Sequence, residues 1–308
     1  MAQTNSTALS SILTFEVQKR VLENLRPQLM YAQRDMAEAG TFDSGTNQLK
    51  FVFVPDLAIN TAALTEGGPA PTPKALSITP ATVSTTQYGD LVSITDVAKV
   101  VSPIALVETA SERVSRQAAA SIDQIVRDVI AAGGTAFYAN AVANRAALAA
   151  GDKLDSADLR RLRANMFKAN ISPFADGYFR IIVSAEQGYD LRNDAATAGN
   201  WVDVNKYSQP ETILRGELGR LEGFRVMEAV NAPTFASTVT VHAAIATGAQ
   251  KGWGWGDMQT LSIHHVPAGG DHTDPLAQEE LLGWKVMFGV GVLDSARYRR
   301  VESAASVV

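Results

Sequence analysis

Residues Ala63 to Leu76 read ALTEGGPAPTPKAL. Two adjacent glycines, Gly67 and Gly68, are followed by prolines at alternate positions, Pro69, Pro71 and Pro73, and then by Lys74. Such a stretch is too polar to pack a core and too long for a tight hairpin turn. Its prolines fix φ and hold the backbone extended. The runs on either side are strand-like. LKFVFV, Leu49 to Val54, is short, aromatic and β-branched. TVSTTQYG, Thr82 to Gly89, has high β-propensity and little charge. Together they make a ribbon of roughly 40 residues, whose arms reach about 50 Å or more at ~3.3 Å per residue. An isolated two-stranded ribbon is marginal in water. This one needs a surface to lie on, either its own body or another subunit.

Helices flank the ribbon. Ser11 to Ala39 carries Phe15, Leu22, Leu25 and Leu29 at helical steps, with a break expected near Pro27. After the ribbon, Ser102 suits an N-cap and Pro103 a first helical position. Val107, Ala110, Val114, Ala118, Ile122, Ile125 and Val129 then form one apolar stripe, and Gly133-Gly134 ends it. Some thirty residues at ~1.5 Å rise give a beam of about 45 Å. LDSADLRRLRANMFKAN reads as a helix capped by Asp155, with Leu159, Leu162 and Met166 inward. FRIIVS (Phe179 to Ser184), GFRVMEAVNAP, STVTVHAAIA, DMQTLSIHHV and ELLGWKVMFGVGVL read as strands. The mixture indicates an α+β fold.

A chain of 308 residues can bury a large core in one domain or two modest ones. Its formal net charge of −5 argues against a protein built to grip nucleic acid, which usually carries a basic stripe. With no cysteine, there is no disulfide, no thiolate chemistry and no cysteine-ligated zinc, which fits folding in a reducing cytoplasm. The first twenty residues do not read as a signal peptide, and no window of 18 apolar residues indicates a membrane span.

Searches for chemistry return little. The phosphate-loop, G-x-S-x-G and H-E-x-x-H patterns are absent. GWGWG, Gly252 to Gly256, and GVG, Gly289 to Gly291, lack the context of a dinucleotide fingerprint, so tight turns and close sheet packing are the stronger reading. The polar cluster HHVPAGGDHTD holds His264, His265, Asp271, His272 and Asp274, a possible set of metal ligands. Adjacent His264 and His265 point to opposite faces of a strand, which favours an ordinary solvated loop. Arg160, Arg161, Arg163 and Lys168 read as a solvated or subunit-facing helix side. Glu279 and Glu280 diverge on a strand and cannot flank one bond. No cofactor and no enzymatic site is expected.

Three segments carry a family resemblance: ALTEGGPAPTPKALSITPATVSTTQYGDLVSITD, GELGRLEGFRVMEAVNAP and DPLAQEELLGWKVMFGVGVLDSARYRRVE. In this order they resemble the major capsid proteins of tailed bacteriophages with the HK-ninety-seven-type fold, in the branch typified by the capsid protein of coliphage N-four. The resemblance implies an N-terminal arm (1–44), an extended β-hairpin loop (45–92), a peripheral domain with a long spine helix (93–150 and 256–284) and an axial domain (151–255 and 285–308). It implies a shell of hexamers and pentamers in the virion, assembled in the bacterial cytoplasm. A separate scaffolding protein and a portal are expected, with packaged DNA enclosed without sequence-specific binding, and no membrane. Subunit contacts are expected at Leu64, Glu66, Pro69, Pro71, Pro73, Lys74 and Leu76 of the extended loop and at Pro267, Asp271, His272 and Asp274 of the peripheral loop. Some members of the wider fold join a lysine of the extended loop to an asparagine of the peripheral loop. Lys74 could supply the amine, but HHVPAGGDHTDPLAQEE has no asparagine, so no such cross-link is expected. The alternatives are a nanocompartment shell of encapsulin type and a metal-dependent enzyme using the histidine cluster.

Overall fold

The computed structural model describes residues 29–42, 45–53, 78–102, 105–194, 217–270 and 276–307, with Asp274 and short pieces between 57 and 76. A four-stranded sheet runs in the order β1 (Glu38–Thr41), β11 (Trp253–Val266), β12 (Glu279–Val292), β4 (Thr86–Thr95). A separate antiparallel hairpin joins β2 (Gln48–Phe53) to β3 (Thr79–Ser84). A seven-stranded sheet runs β5 (Thr135–Tyr138), β13 (Tyr298–Ser303), β10 (Thr240–Thr247), β6 (Phe179–Ser184), β8 (Phe224–Ala229), β7 (Glu217–Leu221), with β9 (Thr234–Ala236) also pairing β10. The described helices of α type are α1 (Asp96–Val101), α2 (Leu106–Ala132), α3 (Ser156–Lys168) and α4 (Ala185–Asn193). None is long and apolar enough to cross a membrane.

The seven-stranded sheet separates two apolar cores. FRIIVS is nearly all apolar because β6 is covered on both faces. Ile181 and Val183 join Leu159, Leu162 and Met166 of α3, while Ile182 joins the core around α2. The expected helix cap is present, with Asp155 accepting from the Asp158 N–H at 2.7 Å. The two cores are connected through this sheet, and α2 bridges from it to the other.

Along α2 a buried apolar row runs through Val114, Ala118, Ile122, Val126 and Ile130, with Ala119 and Ala131 buried beside it. Of the expected stripe, Val114, Ala118 and Ile122 are buried and Ala110 and Ile125 pack half-buried against the same core, while Val126 and Ile130, in place of Val129, continue the buried row. Steps of four residues turn by about 40° more than one revolution, so this stripe winds around the helix. The helix needs that winding because its partners change along its length. Gln117 bonds Asp90 of β4, whereas Ile130 meets Tyr298 at the start of β13. The C-terminus of α2 is closed from far away in sequence. The Tyr298 hydroxyl donates to Ile130 O at 3.0 Å, and Arg300 Nη1 donates to Ala131 O at 2.7 Å and Gly133 O at 3.1 Å. A cation there also opposes the helix dipole.

The beginning of α2 differs from expectation. Ser102 is the C-cap of α1, its N–H donating to Ala98 O at 3.0 Å, and α2 starts at Leu106 without a side-chain cap. The short helix α1 was hidden by reading Ser102-Pro103 as one start signal. Pro103 lies outside the described residues.

The helix expected over Ser11–Ala39 does not continue through its last part. Residues 29–37 form turns and 38–41 form β1, parallel to β11. Residues up to 28, including Pro27, lie outside the described residues. The physical reason is Asp123 on α2. Its buried carboxylate accepts from Tyr31 N at 2.7 Å and Ala32 N at 3.0 Å, and from Asn231 Nδ2 at 2.9 Å. These bonds, and the ladder to β11, outweigh local helix propensity.

Asp123→Ala strands two buried N–H groups, each costing about 1–3 kcal/mol. Urea unfolding is expected to show a loss of roughly 2–4 kcal/mol, with Asp123→Asn losing less because it keeps an acceptor.

Candidate assembly surfaces

The hairpin pairs Gln48 with Ser84 at its root and Phe53 with Thr79 at its outer end. Thr82 to Gly89 is not one ribbon strand. It breaks at Thr85, where β3 ends, and β4 enters the four-stranded sheet beside β12. The root rests on the outer face of that sheet, and glycine makes this possible. Gly40, Gly256 and Gly289 lie side by side across β1, β11 and β12, and Gly254 faces Gly291 in a second row. A Cβ at Gly254 would meet Phe51 at 2.7 Å, one at Gly291 would meet Val83 at 2.9 Å, and one at Gly289 would meet Ser84 O at 2.5 Å. Close sheet packing was therefore the right reading of GWGWG and GVG. The opposite face of the same strands carries Trp253, Trp255, Trp284 and Phe288 into the α2 core, with Trp255 stacked on Phe288 at 4.9 Å.

Beyond the root, several described apolar residues of the arm face outward. Val52, Leu57, Leu76 and Ile78 are 52–64% exposed. Glu66, Pro73 and Lys74 are exposed too, while Leu64, Pro69 and Pro71 lie outside the described residues.

A second apolar surface, missed in the sequence, is α1. Val97, Val100 and Val101 are exposed, and so is Leu276 nearby in the chain's return to β12. The valines stand at helical spacing directly after Thr95, whose hydroxyl accepts from Ala98 N. That signal was readable in DVAKVV. The helix is pinned from below by charge. Lys99 pairs with buried Glu280, and His265 Nε2 lies 2.5 Å from the other Glu280 oxygen. Burial, aided by the Lys99 charge, pushes the His265 pKa down. The ring is then neutral near pH 7, donating through Nε2 and leaving buried Nδ1 without a proton to satisfy.

The sequence-predicted ligands do not converge. His264 is exposed and bonds Ser262, while His265 points inward, so the two do diverge. Asp274 accepts from Gln278 N at 3.0 Å and Glu279 N at 2.8 Å, shaping the entry to β12. Pro267 O closes a turn with Gly270 N. Asp271 and His272 lie outside the described residues, and among the described residues no three ligating side chains form a group. Glu279 bonds Ser93 at the surface, apart from buried Glu280. The basic side of α3 is largely bound within the subunit. Arg160 pairs with Glu222 at 3.0 Å, and Arg161 donates to Tyr138 O at 2.6 Å while lying over Phe137. Packing across Gly223 holds Arg163 in place.

Comparison with known proteins follows the same outline. Residues 79–301 match a family described as phage capsid protein. No curated protein matches the chain. Among solved structures, the capsid of Ralstonia phage GP4 is similar over 92% of both chains, at 13% identity and a TM-score of 0.70. The capsid of cyanophage Pam1 covers 92% of this chain and 93% of its own, at 13% identity and a TM-score of 0.71. The capsid of cyanophage P-SCSP1u covers 91% of this chain and 90% of its own, at 17% identity and a TM-score of 0.64. At these identities the likeness is one of fold.

Gly289→Val is expected to lift the hairpin root, since backbone at Ser84 cannot yield as a flexible side chain can. Amide exchange should accelerate in 48–53 and 79–84 while β6 and β10 stay protected. For His265, the lowered pKa sets the sign of a pH effect. Above its ordinary value of 6.5 both folded and unfolded states are neutral. Below it the unfolded chain takes up a proton that the folded site resists, so stability falls with pH down to the lower folded value. Urea midpoints of the unassembled chain should drop between pH 7.5 and 5.5, and His265→Gln should reduce that drop.

Proposed function

This chain belongs to the phage capsid protein family, and we propose that its copies close into an icosahedral shell by laying the outer part of each extended loop (45–92) on an adjacent copy. It is a major capsid protein, a structural subunit. The supporting observation is the contrast along the arm. Its root is seated on glycine, and Val52, Leu57, Leu76 and Ile78 farther out are exposed. Those residues gain burial only when another surface arrives, and the prolines lower the entropy lost on ordering.

In this reading the fold is of the HK-ninety-seven type, in the N-four branch. The four-stranded sheet and α2 serve as peripheral domain and spine helix (93–150 and 256–284), and 151–255 with 285–308 serve as axial domain. β11 and β12 run through the boundaries at 255/256 and 284/285, so the halves share strands. The copies gather as hexamers and pentamers in the virion. The peripheral loop with Pro267, Asp271, His272 and Asp274 makes a second contact, together with the valines of α1. A scaffolding protein and a portal act with the shell during assembly in the host cytoplasm. The net charge of −5 suits a container in which packed DNA slides rather than sticks.

Replacing residues 57–76 by a short Gly-Ser turn tests the reading. The expected result is a folded subunit that forms no closed shells in electron micrographs. Shells of normal diameter from the shortened chain would refute the role of the arm.

A further inference from the structure

The half of the four-stranded sheet left bare by the hairpin root has its own shape. β4 is an edge strand. β12 pairs one side of it from Thr86 to Thr95, and among the described residues no strand pairs the other. Alternate residues of β4 turn their backbone groups to that free side, where Asp90 Oδ1 takes the Leu91 N–H; the rest is a template for strand addition, and native proteins usually blunt such an edge. This one holds a single residue charged at neutral pH, Asp90, and exposes Leu91 at 58%.

Beside the edge lies an open groove of about 570 Å³ across β4, β12 and β11. Gln87, Leu91, His264 and Lys285 rim it, over a floor at Gly89 and Gly283. Neither glycine accepts a side chain, because a Cβ would meet Trp284 O at 2.6 Å or Asp90 O at 2.8 Å. The floor is therefore bare backbone. Asp90 is turned away from this face, bonded to Gln117 of α2 and to the Leu91 N–H. Lys285 is left as the charged side chain that sets the sign of the groove.

The arm has the matching properties. From Leu57 to Ile78 it holds two ionisable residues, Glu66 and Lys74, and Glu66 is exposed. Its prolines fall at 69, 71 and 73. In an extended chain alternate residues direct their backbone groups to the same edge. All three missing N–H groups then lie on one edge, while Ala70, Thr72 and Lys74 present complete donors and acceptors on the other. Such a segment can add to a sheet on one side and cannot be extended further on its other side.

The arm of the same copy is aimed elsewhere. Its root crosses β12 at Gly289 and Gly291, with Ser84 over the first and Val83 over the second. Continuing through β3 to Thr79, it leaves at the Val292 end of β12. The groove lies at Gly283, some 30 Å back along the strand at ~3.3 Å per residue.

We propose that the free edge of β4 and the groove at Gly89 and Gly283 receive residues 57–78 of a second copy. The 69–74 segment adds as a strand to β4, and Glu66 meets Lys285. This rests on the reading that the arm crosses to a neighbour, and it names where the arm lands.

The test places a photo-crosslinking amino acid at Leu76 of the full chain, in assembled particles, and maps the product by mass spectrometry. Cross-links between copies should fall on 86–95 or beside Lys285. Cross-links between copies that fall elsewhere overturn the landing site and leave the arm's role intact. Cross-links confined within one copy overturn both. A charge exchange gives a second readout. Glu66→Lys and Lys285→Glu should each lower the yield of closed shells about tenfold, and the double variant should recover most of it. Undiminished shells from both single variants, or no recovery in a double variant that still folds, would overturn the pairing. The cross-link map needs no substitution in the sheet, so it decides even where Lys285→Glu does not fold.

Discussion

One sheet can carry a second layer of backbone directly on its surface only where it withholds its side chains. The rows Gly40–Gly256–Gly289 and Gly254–Gly291 do this, and they do it on one face alone. The residues between them, Trp255 and Val290, belong to the other face and pack toward α2. Period-two alternation thus serves both jobs at once, with glycine outward for the hairpin and large apolar groups inward for the core. A shift of register by one residue would bury glycine and expose tryptophan. The direction in which the arm leaves the subunit follows from this seam, because Leu49, Phe51 and Val83 can settle nowhere else.

The second constraint is the anchoring of α2. A helix of 27 residues bridges two sheets, and its buried stripe must serve both. It is held by groups from distant segments: Asp123 in its second half accepts from the backbone at 31–32, and its last carbonyls accept from Tyr298 and Arg300. The helix is therefore a fixed reference for the surfaces proposed to form the shell. The arm root, α1 and the edge of β4 all take their positions from the sheet that packs on it.

Much of this was legible from local pattern. The strands at LKFVFV and FRIIVS, the α3 cap at Asp155 and the inward Leu159, Leu162 and Met166 are readable because period and propensity agree with tertiary placement. The errors fall where a distant partner decides. Residues 29–39 look helical in isolation but are claimed by Asp123 and by β11. Ser102-Pro103 looks like a helix start, yet Ser102 closes a helix begun at Asp96. The closure of α2 by Arg300 has no local trace at all. For the assembly surfaces, the sequence showed the arm as a ribbon and left open whether its own body or another subunit holds it. The answer is divided: the root sits on its own body, and Val52 and Leu76 are left outside. The glycines of GWGWG were read correctly as packing, but that they form the seat of the ribbon depends on a cross-strand pairing that no single segment reveals.

The far-apart anchors also govern when the molecule can fold as it leaves the ribosome. β1 must wait for β11, β4 for β12, and the end of α2 for residues 298–300. Neither core can close until nearly the whole chain has been synthesised, and nonlocal pairing of this kind is slow to form. A truncated translation product therefore lacks the seat for its arm. If the arm joins copies as proposed, incomplete chains are kept out of the lattice by their own topology, without a separate inspection step.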